Sequence, residues 1–298
     1  DRSPSRGLGD VYKRQVLGER QPAPEGENAR VGIMRTFKKH NPGRSGEWEV
    51  AGLNWLAQAT ISGSGVGAEA TGGARVVKVI AHTKDTIELE YISESAPTKA
   101  AAEDFGHRLR ATHLAGAKAF GAGPDNPAWH GDGYQGPNSN LLPLPLGHWE
   151  NWGEFYADAI IDPLVLRCGA GLASEDKREI QQLTARLRAG EFDDGEAPAR
   201  LHGDLWSGNV LWTAREAVLI DPAAHGGHPA TDLAALVLFG TPHLEHILGT
   251  YEESAGWDGS WRELLGLHQL HLLLMHVAVF GETYRSSAMA AVRSALRS

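Results

Sequence analysis

Apolar positions recur every third residue from 47 to 59, where Val50, Leu53 and Leu56 share one side with Trp48 and Trp55 nearby. That spacing predicts an amphipathic helix, because a helix returns every third or fourth side chain to the same face. Ahead of it, Ile33, Met34 and Phe37 predict a strand starting near Val31 and running into Lys38 and Lys39. Asn41-Pro42-Gly43 then turns the chain. After a stretch rich in Gly, Ser and Ala (62–74), two strand-like runs occupy 75–81 and 86–92, separated by a polar turn at 82–85. Residues 98–115 predict a helix with Phe105, Leu109 and His113 on one side and Thr98 as its N-cap. The segment 121–147, dense in Gly, Pro and Asn, predicts a long loop, and such loops are usually functional or disordered. Helical patterns return at 151–166 and 174–189, short β-type pieces fill 201–221, and the remainder to Ser298 reads mainly as helix.

The sum is an α+β architecture with a small β-rich lobe at 31–92 and a larger, mainly helical lobe at 93–298. Residues 1–30, rich in Gly, Pro, Arg and Glu, keep no sustained period and are expected to be a disordered leader or sequence foreign to the domain. There is no internal repeat.

Composition narrows the function. The 298 residues are 42% hydrophobic and 22% charged, an ordinary balance for a globular chain. Acidic residues outnumber basic ones, 37 to 28, for a net charge of −9, which disfavours nucleic-acid binding through phosphate neutralisation. The apolar stretch around 270–280 carries His271 and His276 and falls short of the roughly 20 residues that span a bilayer. The start of the chain lacks the apolar core of a secretory signal. The one cysteine, Cys168, excludes an internal disulfide, has no histidine partner at recognisable spacing, and is given no catalytic part. A cytoplasmic protein without nucleic-acid or membrane partners is expected; the sequence carries no signature of oligomeric state.

Chemistry concentrates in Leu201-His202-Gly203-Asp204-Leu205-Trp206-Ser207-Gly208-Asn209 and the later Val218-Leu219-Ile220-Asp221-Pro222. Phosphoryl transfer needs a carboxylate to accept the attacking hydroxyl's proton and hard oxygen ligands for magnesium. A tight loop through Gly203 and Gly208 can set Asp204 beside Asn209, and a hairpin back to Asp221 brings a third oxygen donor. The spacing fits the H-x-D-L-x-x-x-N catalytic loop with a metal aspartate. Hairpin-turn residues are the plain alternative, but turn chemistry accounts for neither His202 nor the second aspartate at its offset.

The strings LHGDLWSGN and IDPAAHGGHPATDLAALVLFG resemble the fructosamine kinase (ketosamine-3-kinase) family, within the wider aminoglycoside-phosphotransferase and choline-kinase-like group. The likeness extends from about residue 31 over most of the chain. It implies a two-lobed protein-kinase-like fold and ATP-dependent phosphorylation, with Mg²⁺, of a sugar hydroxyl on ketosamines carried by small molecules or proteins, as in the repair of glycated protein. It implies Asp204 as catalytic base and Asn209 and Asp221 as metal ligands. Lys39, with Lys38 second, would grip the ATP phosphates, and Glu49, with Glu47 as fallback, would pair with it. Backbone groups near Glu90 and Ile92 would meet adenine. Asp232 would tie down the catalytic-loop backbone, although as an acidic residue opening a helix it also suits the helix dipole.

Trp206 is expected to offer an indole face to the sugar. His225 and His228 either line the acceptor pocket or fill a glycine-rich turn. The loop 129–145, with Asn138 and Asn140, resembles a family segment at the active-site mouth. Two departures stand out. Pro229 and Ala230 replace a common Arg-Glu pair, and the phosphate-covering hairpin expected before Lys39 is missing, replaced or truncated, since Gly7-Leu8-Gly9 lies too far ahead; weaker ATP binding would follow if it is absent. The histidine pairs His243/His246 and His268/His271 lack a zinc motif. Two other readings stay open: a phosphotransferase for an aminoglycoside or amino alcohol, and a catalytically silent nucleotide-binding module.

Overall fold

The computed structural model describes residues 35–61, 72–125, 129–136 and 140–298. The expected leader, Gly7-Leu8-Gly9 and Asn138 lie outside the described residues. Strand β1 (Thr36–His40) is followed by helix α1 (Arg44–Ile61), whose apolar stripe of Val50, Leu53 and Leu56 is buried as its spacing requires. Strands β3 (Val79–His82) and β4 (Thr86–Glu90) complete an antiparallel sheet in the order β1-β4-β3, with Lys39 opposite Ile87.

The run 75–81, expected as one strand, is two. Strand β2 (Arg75–Val76) leaves that sheet and pairs in parallel with β9 (Ala217–Leu219), and the Val77 N–H continues the ladder to the Leu219 carbonyl at 3.0 Å. Strand β9 also pairs with β8 (Val210–Trp212). The small lobe is therefore stitched to the hairpin that delivers Asp221. A core joins them, with Leu53 and Leu56 of α1 in one cluster with Val218, Leu219, Leu233 and Tyr251.

Helix α2 (Lys99–Leu114) begins as expected. The Thr98 hydroxyl accepts from the Ala101 N–H at 3.1 Å, a cap worth about 1 kcal/mol. The long loop is not wholly irregular, because β5 (Gly133–Gln135) and β6 (Leu142–Leu144) form a hairpin within it. The strands are three residues each and β6 holds Pro143, so no run of alternation announces them. Helix α3 (Trp152–Phe155) passes through a π-helical segment (Tyr156–Ile161) into α4 (Asp162–Cys168), and α5 (Ser174–Arg188) follows. Strand β7 (Ala199–Leu201) pairs with β10 (His225–Gly227) and frames the catalytic-type loop.

The rest is α6 (Ala230–Phe239), α7 (Leu244–Ala255), α8 (Leu265–Phe280) and α9 (Arg285–Arg297). The helical stretch Ser260–Arg297 is longer than the apolar run read from sequence, and by length and composition it could cross a membrane. Of its most apolar window 56% is buried inside the molecule, as in a core helix. Leu270 and Leu274 of α8 are fully enclosed, each stabilising the fold by about 1.5–3 kcal/mol.

Candidate active site

Alternation along β1 turns Lys38 to solvent and Lys39 inward, and the helical repeat of α1 leaves Glu47 exposed while it buries Glu49. The Lys39 Nζ donates to Glu49 Oε2 at 2.9 Å and to Asp221 Oδ1 at 2.8 Å. Asn41 lies two residues beyond Lys39, and its Nδ2 donates to the same Glu49 oxygen at 2.6 Å. Sequence reasoning spent Asn41 on a turn; the i, i+2 spacing along a strand is the signal that places it on Lys39's face.

Burial works against the Lys39 charge, yet the Asp221 and Glu49 carboxylates outweigh it and hold the ammonium above its ordinary pKa. Burial raises Glu49 to about 7, with Lys39 opposing and the Asp221 charge adding to the rise. One ammonium thus serves two carboxylates.

The loop after β7 brings in the rest. Asn209 Nδ2 donates to the Asp204 carbonyl at 2.8 Å, to Asp204 Oδ2 at 3.0 Å and to the Asp221 carbonyl at 3.4 Å. Asp204, Asn209 and Asp221 therefore converge. Burial lifts Asp204 to about 7; the Asn209 amide opposes the rise, while the Asp221 and Asp232 charges add to it. Asp221 takes a left-handed backbone, φ 54°, which costs a non-glycine residue roughly 1–3 kcal/mol and is held against that cost by the Lys39 ion pair.

Asp204, Asp221 and Glu49 set three carboxylates against one ammonium. The Asn209 amide gives its hydrogens to Asp204 and Asp221, which keeps its carbonyl oxygen as an acceptor. That donor set, all oxygen with excess negative charge, suits magnesium.

Asp232 fastens this loop from behind. Its Oδ2 accepts from the His202 N–H at 2.7 Å and its Oδ1 from the Gly203 N–H at 3.0 Å. His113 Nε2 reaches Asp232 at 3.2 Å, and His113 Nδ1 reaches the Tyr251 hydroxyl at 2.7 Å. Neither backing residue was identified from sequence; the one signal was a histidine on the apolar face of α2. His202 spans the loop, accepting from the Asp204 N–H at 3.3 Å and donating through Nε2 to the Ile220 carbonyl at 2.9 Å.

Gly203 sits at φ 80°, and a Cβ there collides with the Ala223 carbonyl and the His225 ring. Gly203→Ala is expected to lose at least about 1–3 kcal/mol of stability, read as a lower urea midpoint, together with most activity.

Other expected site residues fall elsewhere. The Trp206 indole is 3% exposed, packed edge-on to Phe239 at 6.0 Å and roofed by Gly208, so its face is not open to a sugar. His225 is buried in β10 with Nδ1 on the Ala223 carbonyl at 2.8 Å, behind the loop rather than in a pocket. His228 meets Asp194 at 3.1 Å and packs against both Trp152 and His268, which stack on each other. Asn140 is exposed with its carbonyl beside Gly136, and no bond joins it to the Asp204 cluster. At the lobe junction the Glu90 N–H is already given to the Lys78 carbonyl at 2.9 Å and the Tyr91 N–H to Arg35 at 3.0 Å. Glu90 is thus excluded as an N–H donor to adenine. Among the described residues nothing accepts from the Ile92 N–H.

A lysine-glutamate pair in a small lobe, an aspartate-asparagine loop and a second aspartate at a hairpin's end define the protein-kinase-like phosphotransferase fold. An ADP-bound aminoglycoside phosphotransferase shares that fold, with a TM-score of 0.51 at 12% identity over 96% of this chain and 97% of that one. The chain belongs to the fructosamine kinase family, whose profile matches residues 70–298. A Thermobifida fusca structure that carries the name fructosamine-3-kinase superposes with a TM-score of 0.75 and 40% identity, covering 88% of this chain and 86% of that one. Mouse ketosamine-3-kinase is 31% identical over 151 residues, 50% of this chain and 48% of that protein. The chain spans about half the length of such curated relatives.

Proposed function

We propose that this protein transfers the γ-phosphoryl group of ATP to a sugar hydroxyl of a ketosamine, free or protein-bound. The observation that carries the reading is the convergence of Lys39, Glu49, Asp204, Asn209 and Asp221. Asp204 takes the proton of the acceptor hydroxyl as its oxygen bonds to phosphorus and the bond to the ADP oxygen breaks. Burial suits it to that task, because a carboxyl raised to about 7 is a far better base than an ordinary aspartate.

Lys39, aligned by Glu49, holds the phosphates, and the Ile92 N–H is the adenine donor in the lobe junction. Asn209 and Asp221 would hold magnesium, which neutralises phosphate charge. Positioning and charge neutralisation then supply most of the rate. Membership of the fructosamine kinase family and the ketosamine-3-kinase name of a relative support the acceptor class. Phosphorylating glycated amines in the cytoplasm would place the protein in deglycation.

An ATP-consumption assay with a panel of acceptors tests this. Fructosamines or ribulosamines of lysine should stimulate magnesium-dependent turnover, and aminoglycosides or choline should not. Stimulation by the latter alone refutes the ketosamine assignment, and the absence of turnover with every acceptor refutes the kinase reading.

A further inference from the structure

Helix α1 carries Glu49, so whatever fixes α1 fixes the Lys39 pair. Its first turns are gripped by the segment 129–135 of the other lobe. The Arg44 guanidinium donates to the His130 carbonyl and lies over the Trp129 ring, 4.6 Å from its centroid. One turn later Trp48 donates its indole N–H to the Tyr134 carbonyl at 2.9 Å and meets Trp129 ring to ring at 5.1 Å. Residues i and i+4 share a helix face, so these two anchors fix both the rotation and the axial position of α1. The fit is close, because a Cβ on Gly133 would collide with the Trp48 indole.

The segment is itself fastened. Gln135 is buried and hydrogen-bonds His271 of α8, and Asp132 accepts from the Leu146 N–H at 3.2 Å. On the adjoining face of α1, Gly52 lets the backbone approach Pro222 and Ala224, directly after Asp221.

We propose that Arg44 and Trp48, held by Trp129, are positioning residues: they keep Glu49 facing Lys39 with no activating event, so the phosphate-binding pair is preformed. Released from Glu49, Lys39 keeps only Asp221 at 2.8 Å and collapses onto a residue needed for magnesium. The device rests on the proposed ATP role of Lys39 and adds to it the residues that hold it. It also joins the ATP side of the molecule to α8.

Calorimetric titration of the full chain with MgADP, together with the acceptor KM and the melting temperature, tests this. Trp129→Ala and Arg44→Ala should each weaken MgADP binding by about tenfold with the acceptor KM changed less than about twofold, and Trp129→Phe should restore most of the loss. Arg44 is exposed, so its variant keeps the test available if Trp129→Ala does not fold. A purely structural role lowers the melting temperature and leaves MgADP affinity alone, which overturns the proposal. Lys39→Met separates the two layers. If it weakens MgADP binding while the Arg44 and Trp129 variants do not, the positioning inference fails. If Lys39→Met also binds MgADP normally, the ATP-site reading has failed.

Discussion

Asp204→Asn is expected to lower kcat by about 10²–10⁴-fold while leaving the KM for ATP within a small factor. The replacement is isosteric, and its amide oxygen can still accept from Asn209, so the loop keeps its shape and only the proton acceptor is lost. Stability should move the other way. In the folded chain burial raises Asp204 from 3.8 to about 7, so the unfolded state ionises more easily. Between those values the folded state binds the extra proton, so the contribution of this one group turns against the folded state as pH rises from about 4 to 7. Above pH 7 the penalty is complete. Asp204→Asn removes it, so the urea midpoint should rise most above pH 7 and little near pH 4. Activity down and stability up in one variant is the signature of a carboxylate kept for chemistry. Unchanged turnover would exclude Asp204 as the base, and a destabilised variant at pH 8 would exclude the burial penalty on its charge.

The parts of this site that sequence could reach are those whose geometry is local. The loop 201–209 and the hairpin to Asp221 lie within one stretch, and turn chemistry plus spacing suffice to bring Asp204, Asn209 and Asp221 together. Lys39 and Glu49 came within reach only through the family resemblance; the structure's strand and helix periods then leave Lys38 and Glu47 in solvent. Where a side chain's surroundings come from distant segments, the sequence is silent. The face of Trp206 is decided by Phe239 of α6, and the support behind Asp232 comes from His113, 119 residues away. The splitting of 75–81 into β2 and β3 depends on a partner strand at 217–219 that no local pattern reveals. Backbone commitment is equally invisible: that the Glu90 N–H is given to the Lys78 carbonyl, which narrows the backbone groups open to adenine, depends on a neighbouring strand.

A second large effect concerns acid. Five buried histidines, His202, His225, His268, His271 and His276, all have their pKa lowered by burial, His271 to about 3 and His268 well below the usual value. The sign follows from which state binds protons. Below about 6.5 the unfolded chain protonates these rings and the folded chain does not, so their contribution is intact above 6.5 and is lost as pH falls. Asp204 and Glu49, both raised to about 7, act oppositely, since the folded state takes up their protons first. Five against two leaves a net uptake of protons on unfolding, so stability falls as pH falls. A domain with about 5–15 kcal/mol to spare should then be destabilised progressively below pH 6.5. The carboxylate of Asp194, lowered to about 2, fails only in a later window, below 3.8. Calorimetric unfolding near pH 5.5 in two buffers of different ionisation enthalpy counts the protons directly. Net uptake on unfolding is expected. Net release, or a melting temperature that holds level from pH 7 to 4, would mean that the histidine cluster is charged or open to water in the folded protein, contrary to its packing.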